Sequence, residues 1–517
     1  MWLIAGLVTT ALLLPPGYLL IRALEGGETA VRILFRLRTV AILGRTVWLA
    51  LTVTAASAVI AVPLAWLTVR TDLPLRRMWA VLTPLPLVVP SFVGAFLVVS
   101  ALGPRGLLQQ FLEGPFGIER LPSIYGFPGA LLTLTLLSYP YVMLSVRAAL
   151  QRMDPALEEA SRSLGNGPWA TFRRVTLPHL RPALGAGCLL VALYTLRDFG
   201  AVSVMRYSTF TRVIFVQYQG FDRSASAALA LVLVLLTLVI LVLEARTRGR
   251  GRARYYWSGV GAARPPKIVR LGRWRWPALF YCAAVVAFGL ALPAGVLFFW
   301  LMRGLLAGEV LTPLALATWN SIFASALAAL ATVAAALPLA ILAVRHWSRL
   351  TQLLERITYS AFALPGIVVA LALVFFGSNF ALSFYQTLPM LILAYGILFI
   401  PQALGAVRAS LLQVHPGLEE SARSLGRRPL RVFATITLPL AWPGVAAGAG
   451  LVFLTTMKEL PATLILAPLG FKTLATDVWS AISEAFFAQA AAPALIIILV
   501  SSLPMAFFIL REQKEGA

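Results

Sequence analysis

The sequence predicts an all-α polytopic membrane protein, with about twelve transmembrane helices in two parallel six-helix repeats. Three observations carry that prediction. Of 517 residues, 60% are hydrophobic and 12% are charged, whereas a soluble domain carries about 25% charged residues. Apolar runs of spanning length recur along the chain. The second half of the chain repeats the first.

So few charges cannot clothe a chain of this length in water, so a bilayer must act as solvent for much of it. A span needs roughly 20 apolar residues. Such runs lie near 1–24, 46–69, 79–101, 128–150, 182–204 and 225–245, then near 277–302, 317–344, 357–377, 386–407, 443–466 and 490–510. The first is expected to be a retained helix, because no positive region precedes it and no small-residue cleavage site follows. Pro15-Pro16 is expected to interrupt it. Residues 246–275 hold ten Lys or Arg and read as part of a cytoplasmic linker, 246–276, between repeats at 1–245 and 277–517.

Charge sets the orientation. The chain carries 43 Lys+Arg against 20 Asp+Glu. With the N-terminus inside, 29 of those cations fall on the cytoplasmic side and 12 outside, while Arg197 and Lys458 fall within spans. Positive loops stay inside, so both termini are expected in the cytoplasm. One loop runs against the rule: Arg22, Arg32, Arg36, Arg38 and Arg45 would face outward, and residues 30–39 read as an interfacial helix. The basic excess fits loops lying on an anionic leaflet rather than nucleic-acid binding. Cys188 and Cys282 fall in or beside apolar runs, with no metal spacing and no disulfide framework, and read as packing residues.

The repeat is direct. Pro140 to Pro182 aligns with Pro401 to Pro443 at a constant shift of 261, and 19 of 43 positions are identical without a gap. Earlier in each half the shift is 275, which pairs Pro63, Arg70 and Pro90 with Pro338, Arg345 and Pro365. Six spans per half is an even number, so both halves enter the membrane alike. Their relating axis then lies along the membrane normal, with a pathway between them.

One cytoplasmic loop in each half is unusually regular. The first runs Asp154-Pro-Ala-Leu-Glu-Glu-Ala-Ser-Arg-Ser-Leu-Gly165 and on to Val175-Thr-Leu-Pro178. The second runs His415-Pro-Gly-Leu-Glu-Glu-Ser-Ala-Arg-Ser-Leu-Gly426 and on to Ile436-Thr-Leu-Pro439. Each reads as a short helix, a glycine break and a second short helix stopped by proline. Asp154 is placed to cap the first, with Pro155 at its first position. Gly165 and Gly426 permit a left-handed turn, and Pro178 and Pro439 mark re-entry toward the membrane. Leu157, Ala160 and Leu164 share one helical face, as do Leu418, Ser421 and Leu425. The result is a knob suited to a partner's groove. A solvated amphipathic connector is the bland alternative, and two copies at matched positions weigh against it.

These loops resemble the signature of permeases in binding-protein-dependent, ATP-binding-cassette importers: Glu-Ala-Ala, three residues, Gly, nine residues, then Ile-x-Leu-Pro. Ser161 and Ser421 replace alanines, and Val175 replaces the isoleucine. The fused double permease is most similar to the ferric-iron branch, on Leu196-Arg-Asp-Phe-Gly-Ala201, Met457-Lys-Glu-Leu-Pro-Ala-Thr463 and Gly470-Phe-Lys-Thr-Leu-Ala-Thr476. Thiamine, sulfate and polyamine permeases look similar. The resemblance implies a bacterial inner-membrane subunit whose two loops dock on a homodimer of ATP-binding subunits. It implies an extracytoplasmic substrate-binding protein as a second partner. ATP and magnesium would be bound by the partner ATPase, with no cofactor in this chain. The coupling residues it implies are Glu158, Glu159, Ala160, Gly165 and Pro178, with Glu419, Glu420, Ala422, Gly426 and Pro439.

Arg197-Asp198 and Lys458-Glu459 lie in the fifth span of each half, again 261 apart. Charge at membrane depth costs at least about 2.5–3.5 kcal/mol per residue on insertion scales, and such groups face a cavity or one another. Neighbours in a helix do not face each other, so a crossed pairing is expected: Arg197 with Glu459, and Lys458 with Asp198. The four charges either line the translocation pathway or hold and gate the halves. A tight permanent metal site is not expected, since a pathway must release its cargo. Tyr207, Asp222, Thr473 and Glu484, between the last two spans of each half, are further candidates for meeting a substrate-delivering protein.

Enzyme chemistry finds no support in the sequence. No phosphate-loop pattern occurs, and Gly470-Phe-Lys472-Thr473 lacks its glycines. His179, His346 and His415 are scattered, with no metal or catalytic cluster around them. Energy is therefore expected from a separate ATPase. The rival reading is an ion-coupled secondary transporter, which also uses six-plus-six repeats but gives no account of the paired loops.

Overall fold

A computed structural model describes residues 1–25, 27–220, 222–248, 268–308, 314–346 and 348–515. Among them the chain is helical, with no strand beyond one isolated bridge between Thr71 and Val269. Most of the linker expected over 246–276 lies outside the described residues. Ten helices are long and apolar enough to cross a membrane, from Trp2–Arg22 to Pro429–Met457. A bent apolar pair, Arg349–Ala363 with Gly366–Phe380, turned by 109°, is either a broken span or a re-entrant segment. Phe487–Leu503 is a shorter apolar helix. Each of the twelve expected runs thus has a helical counterpart.

Two expectations are corrected. The first helix, Trp2–Glu25, runs unbroken through Pro15 and Pro16. Each proline removes a backbone donor, but without competing water a helix keeps its remaining hydrogen bonds. The interfacial helix expected over 30–39 lies earlier, at Gly27–Leu34, followed by a break at Phe35 and Arg36. Leu37 already opens the next long helix, Leu37–Arg70.

The chain forms two compact units, and these divide it differently from the sequence repeats. One comprises Met1–Arg36, Ile214–Val234 and Gly304–Ala517; the other comprises Leu37–Val213 and Leu235–Arg303. Each unit therefore takes the opening helix of the other half. In the first, Trp2–Glu25 packs on Gly366–Phe380, with Tyr18 and Phe375 rings 4.9 Å apart and the Arg22 guanidinium 4.8 Å over Phe375. In the second, the helix Arg275–Val286 sends Ala278, Cys282 and Val285 into a core built from Leu49, Val53, Tyr139, Val142 and Met143. Cys282 is buried there and Cys188 half-buried, both free thiols, in keeping with packing roles. Tyr281 Oη donates to Ile60 O at 2.9 Å, and Trp300 Nε1 to Ser100 Oγ at 2.6 Å.

Within each unit the close helix crossings fall at small residues. A Cβ on Gly187 would sit 2.6 Å from Val142 Cα, so Leu177–Arg197 lies directly on Phe127–Arg152. Small residues are what permits such approach where packing rather than water drives association.

The end of the linker is tied down. Val269 N–H donates to Arg70 O at 2.8 Å and Asp72 N–H to Val269 O at 3.2 Å. The Asp72 carboxylate accepts the Leu271 N–H at 2.8 Å and the Arg275 guanidinium at 3.0 Å. The Leu271 bond first, and then Arg275, hold the Asp72 carboxyl below its ordinary value of 3.8. A depressed carboxylate contributes its full stabilisation above the ordinary value and loses it as pH falls through the lowered one. The Leu271 amide should therefore stay protected from hydrogen exchange through mildly acidic pH and lose protection only below about pH 4. Asp72→Asn should remove that pH dependence, as read by exchange mass spectrometry.

Candidate coupling loops and membrane-depth charges

The two loops fold as near copies. Pro155–Ser163 and Pro416–Ser424 are the short helices. Asp154 Oδ1 accepts the Ala156 N–H at 2.9 Å, and His415 Nδ1 accepts the Gly417 N–H at 3.1 Å, each satisfying a first-turn donor. Gly165 at φ 83° and Gly426 at φ 79° make the left-handed exit, a conformation costly for any residue bearing a Cβ.

Each helix has an inner and an outer side. Inward, Thr176 Oγ1 donates to Glu158 Oε1 at 2.9 Å, and Thr437 Oγ1 to Glu419 Oε1 at 3.0 Å. Ser161 and Ala422 are buried on the same side. Outward lie Glu159, Ala160, Glu420 and Ser421, beside the exposed side chains of Leu157, Leu164, Leu418 and Leu425. The apolar face at helical spacing is thus on the surface, with Trp169 and Leu430 exposed nearby. Glu158, Glu419 and Ala422 serve to seat each helix, while Glu159, Glu420 and Ala160 are displayed.

Pro178 and Pro439 do not stop a helix. Pro168–Thr171, a π turn at Phe172–Thr176 and Leu177–Arg197 form one uninterrupted run, as do Pro429–Val432, Phe433–Thr437 and Leu438–Met457. The Leu177 N–H reaches Phe172 O, and the Leu438 N–H reaches Phe433 O. Widening the turn just before each proline accommodates its ring and its missing donor without a break.

The fifth spans do break, but at their far ends. Leu177–Arg197 ends, Asp198 and Phe199 are non-helical, and a short helix Gly200–Val204 follows. In the other half Leu438–Met457 ends and Pro461–Leu466 follows. Asp198 Oδ1 accepts the Ala201 and Val202 N–H groups at 2.9 and 3.3 Å, and Ser91 adds a side-chain hydrogen bond. Glu459 Oε1 accepts the Ala462 N–H at 3.3 Å. Thr211 Oγ1 donates to Asp198 O at 2.5 Å and Thr463 Oγ1 to Glu459 O at 2.6 Å. Each carboxylate therefore caps the short helix that follows the break, where the partial positive charge of a helix start favours an anion.

Each carboxylate also meets the first residue of the third-span helix. Ser91 opens Ser91–Leu102 and Gly366 opens Gly366–Phe380, and these positions are 275 apart. A Cβ on Gly366 would collide with Glu459 Oε1. The shorter Asp198 thus pairs with a serine hydroxyl, and the longer Glu459 fills the space a side chain would need. Nothing in the sequence patterns flags Ser91, Gly366, Thr176 or Thr437; the repeat offsets would have paired them.

Of the outer candidates, three have local roles. Asp222 Oδ1 accepts the Ala225 N–H at 2.9 Å. Thr473 caps Leu474–Ser483 in a reciprocal bond with Thr476. Tyr207 Oη donates to Arg45 O at 3.4 Å. Glu484 follows the last turn of Leu474–Ser483.

The family pattern described as binding-protein-dependent transport system inner membrane component matches residues 57–247 and again 336–513. Fe(3+)-transport system permease protein FbpB 2 of Haemophilus influenzae is 37% identical over 511 residues, covering 98% of this chain and 96% of the relative. The chain belongs to this family of transport-system membrane components. Ferric transport system permease protein FbpB of Actinobacillus pleuropneumoniae is 24% identical over 508 residues, 93% of this chain and 72% of that protein. Molybdenum transport system permease protein ModB of Escherichia coli is 35% identical over 137 residues, 26% of this chain and 58% of that protein. The two family matches fall one per repeat, each containing one loop and one broken fifth span.

The Ser91–Asp198 and Gly366–Glu459 pairings make an interchange prediction. Gly366→Ser alone should overpack the site and destabilise by about 1–3 kcal/mol. Adding Glu459→Asp, which recreates the first-half arrangement, should recover most of that loss. Thermal unfolding of the detergent-purified chain reads both, with Gly396→Ala, where a Cβ meets only Thr332 Oγ1 at 3.8 Å, as the tolerated control.

Proposed function

We propose that this chain is the pathway-forming subunit of an ATP-driven importer that carries ferric iron across the bacterial inner membrane. The observation that carries the reading is the pair of knob helices, each pinned from within by a glutamate–threonine bond and each displaying leucines and a second glutamate outward. Such a surface fits a groove on a partner, and two copies fit two identical ATP-binding subunits. ATP and magnesium belong to those subunits. A soluble substrate-binding protein delivers cargo at the outer face, and both termini of this chain lie in the cytoplasm. Ferric iron is favoured because the relative aligned along almost the whole chain carries that ion in its name.

The mechanism is alternating access. Closure of the ATPase pair displaces the knobs, and each knob is bonded through its glutamate–threonine contact to a fifth-span helix that ends at a charged break. Rigid packed bundles with two arrangements convert that displacement into opening on one side and closing on the other. Asp198 and Glu459 hold the shape of the breaks and so of the gate; Arg197 and Lys458 stand beside them in the pathway. Because the carboxylates already accept backbone N–H groups, their role is to shape the gate rather than to ligate cargo.

The test is reconstitution into liposomes with the cognate ATPase and binding protein. ATP-dependent uptake of ferric iron should fall about tenfold or more in Glu159→Arg with Glu420→Arg, while the subunits still co-purify. Uptake of molybdate or sulfate instead of iron would keep the importer and discard the cargo. Failure to bind any ATPase would sink the importer reading. Asp198→Asn with Glu459→Gln should uncouple ATP hydrolysis from uptake; full transport by that variant would remove both residues from the gate.

A further inference from the structure

Each repeat ends its second span in arginine: Arg70 closes Leu37–Arg70 and Arg345 closes Leu314–Arg345, at the 275 offset. In the second repeat this arginine locks the knob. Arg345 Nε and Nη2 donate to Glu419 Oε1 at 3.2 and 3.0 Å, and Nη2 also donates to Val414 O at 2.9 Å. In the first repeat the matching carboxylate sits in the matching place, since Thr176 holds Glu158 as Thr437 holds Glu419. Yet Arg70 makes no such bond. It is 2% exposed, and its Nε, Nη1 and Nη2 have no hydrogen-bond partner among the described residues.

A buried guanidinium is expected to be paired, so something must hold Arg70 off. The chain that follows it supplies a cause. Val269 donates to the Arg70 carbonyl, Asp72 donates to Val269, and the Asp72 carboxylate takes Leu271 and Arg275. After Arg345 no linker strand pairs with the chain among the described residues, and the His346 N–H continues the helix to Leu342 O at 3.0 Å.

We propose that residues 268–271 are a strap that keeps Arg70 from Glu158, and that its release lets Arg70 form with Glu158 the bond Arg345 forms with Glu419. The second knob is then seated permanently and the first conditionally. The two ATPase contacts become inequivalent, and the inter-repeat linker regulates one of them. This consequence rests on the knobs being ATPase-docking elements; the strap itself does not.

The test therefore uses the full chain alone in lipid nanodiscs, without any ATPase. Tryptic cleavage after the exposed Arg270 is followed by mass spectrometry. Asp72→Asn should loosen the strap and speed that cleavage about threefold or more. Glu158→Gln keeps the Thr176 acceptor but removes the charge that competes for Arg70, so it should slow cleavage by about the same factor. Glu419→Gln, already paired elsewhere, should leave the rate unchanged. A wild-type rate in Glu158→Gln overturns the proposal, as does an equal slowing by Glu419→Gln. In a separate measurement with the ATPase added, unchanged ATPase stimulation by a variant whose strap cleavage shifts as expected would leave the strap standing and count against the docking role of the knobs.

Discussion

A helix that breaks frees the backbone N–H groups of the segment beyond it, and the whole arrangement depends on satisfying them internally. Both fifth spans break in this way. The carboxylates of Asp198 and Glu459 answer the need, each accepting from the first N–H groups of the short helix beyond the break. Charge and break therefore explain each other. An isolated carboxylate would be costly in this setting, and an uncapped helix start would be costly too. Placed together, each cancels the other's penalty, and a bend becomes stable where a straight span would otherwise run.

The two repeats meet the same backbone demand with different side chains. Ser91 with Asp198 corresponds to Gly366 with Glu459, a serine hydroxyl exchanged for one methylene. The same divergence recurs toward the knob side of the spans. Arg408 lies 3.1 Å from Glu355 in one half, whereas its counterpart Arg147 donates to the Ala80 carbonyl at 2.9 Å in the other. Ala80 occupies the position of Glu355 at the 275 offset. At this position the second repeat places an acid opposite its arginine, and the first uses a backbone carbonyl. Removing one partner of an ion pair leaves a charge behind, whereas a carbonyl partner carries none.

Much of this was legible in the sequence because it is written locally. Apolar run length located the spans, and the Asp-Pro start and glycine exit located the knob helices, since caps and left-handed turns are properties of a few adjacent residues. The proline reading failed for an instructive reason. Pro178 and Pro439 were expected to stop a helix, but a single widened turn absorbs the missing donor, and nothing in the local pattern announces a π turn. Pro15-Pro16 misled in the same direction. Two of the neighbours of Asp198 and Glu459, Ser91 and Gly366, were out of reach because they are uncharged and open a helix about a hundred positions earlier. Charge pattern alone suggests that cations pair with anions, and it cannot see a helix terminus. The division into units was equally hidden, since apolar helices carry no label for the half on which they pack.

The continuity revealed by the π turns bears most directly on mechanism. From Trp169 to Arg197, and from Pro429 to Met457, each fifth span is a single 29-residue helix, about 43 Å long at the ordinary rise. Its near end is fastened to a knob through the glutamate–threonine bond, and its far end carries the capped break. Had the proline stopped the helix, a flexible joint would lie between knob and break, and a displacement of one would dissipate before reaching the other. With the helix unbroken, moving the knob must move the break. On the proposed reading this rod is what links ATPase closure to the gate. The placement of the proline beside a π turn is then the device that keeps the rod whole while turning the chain into the membrane.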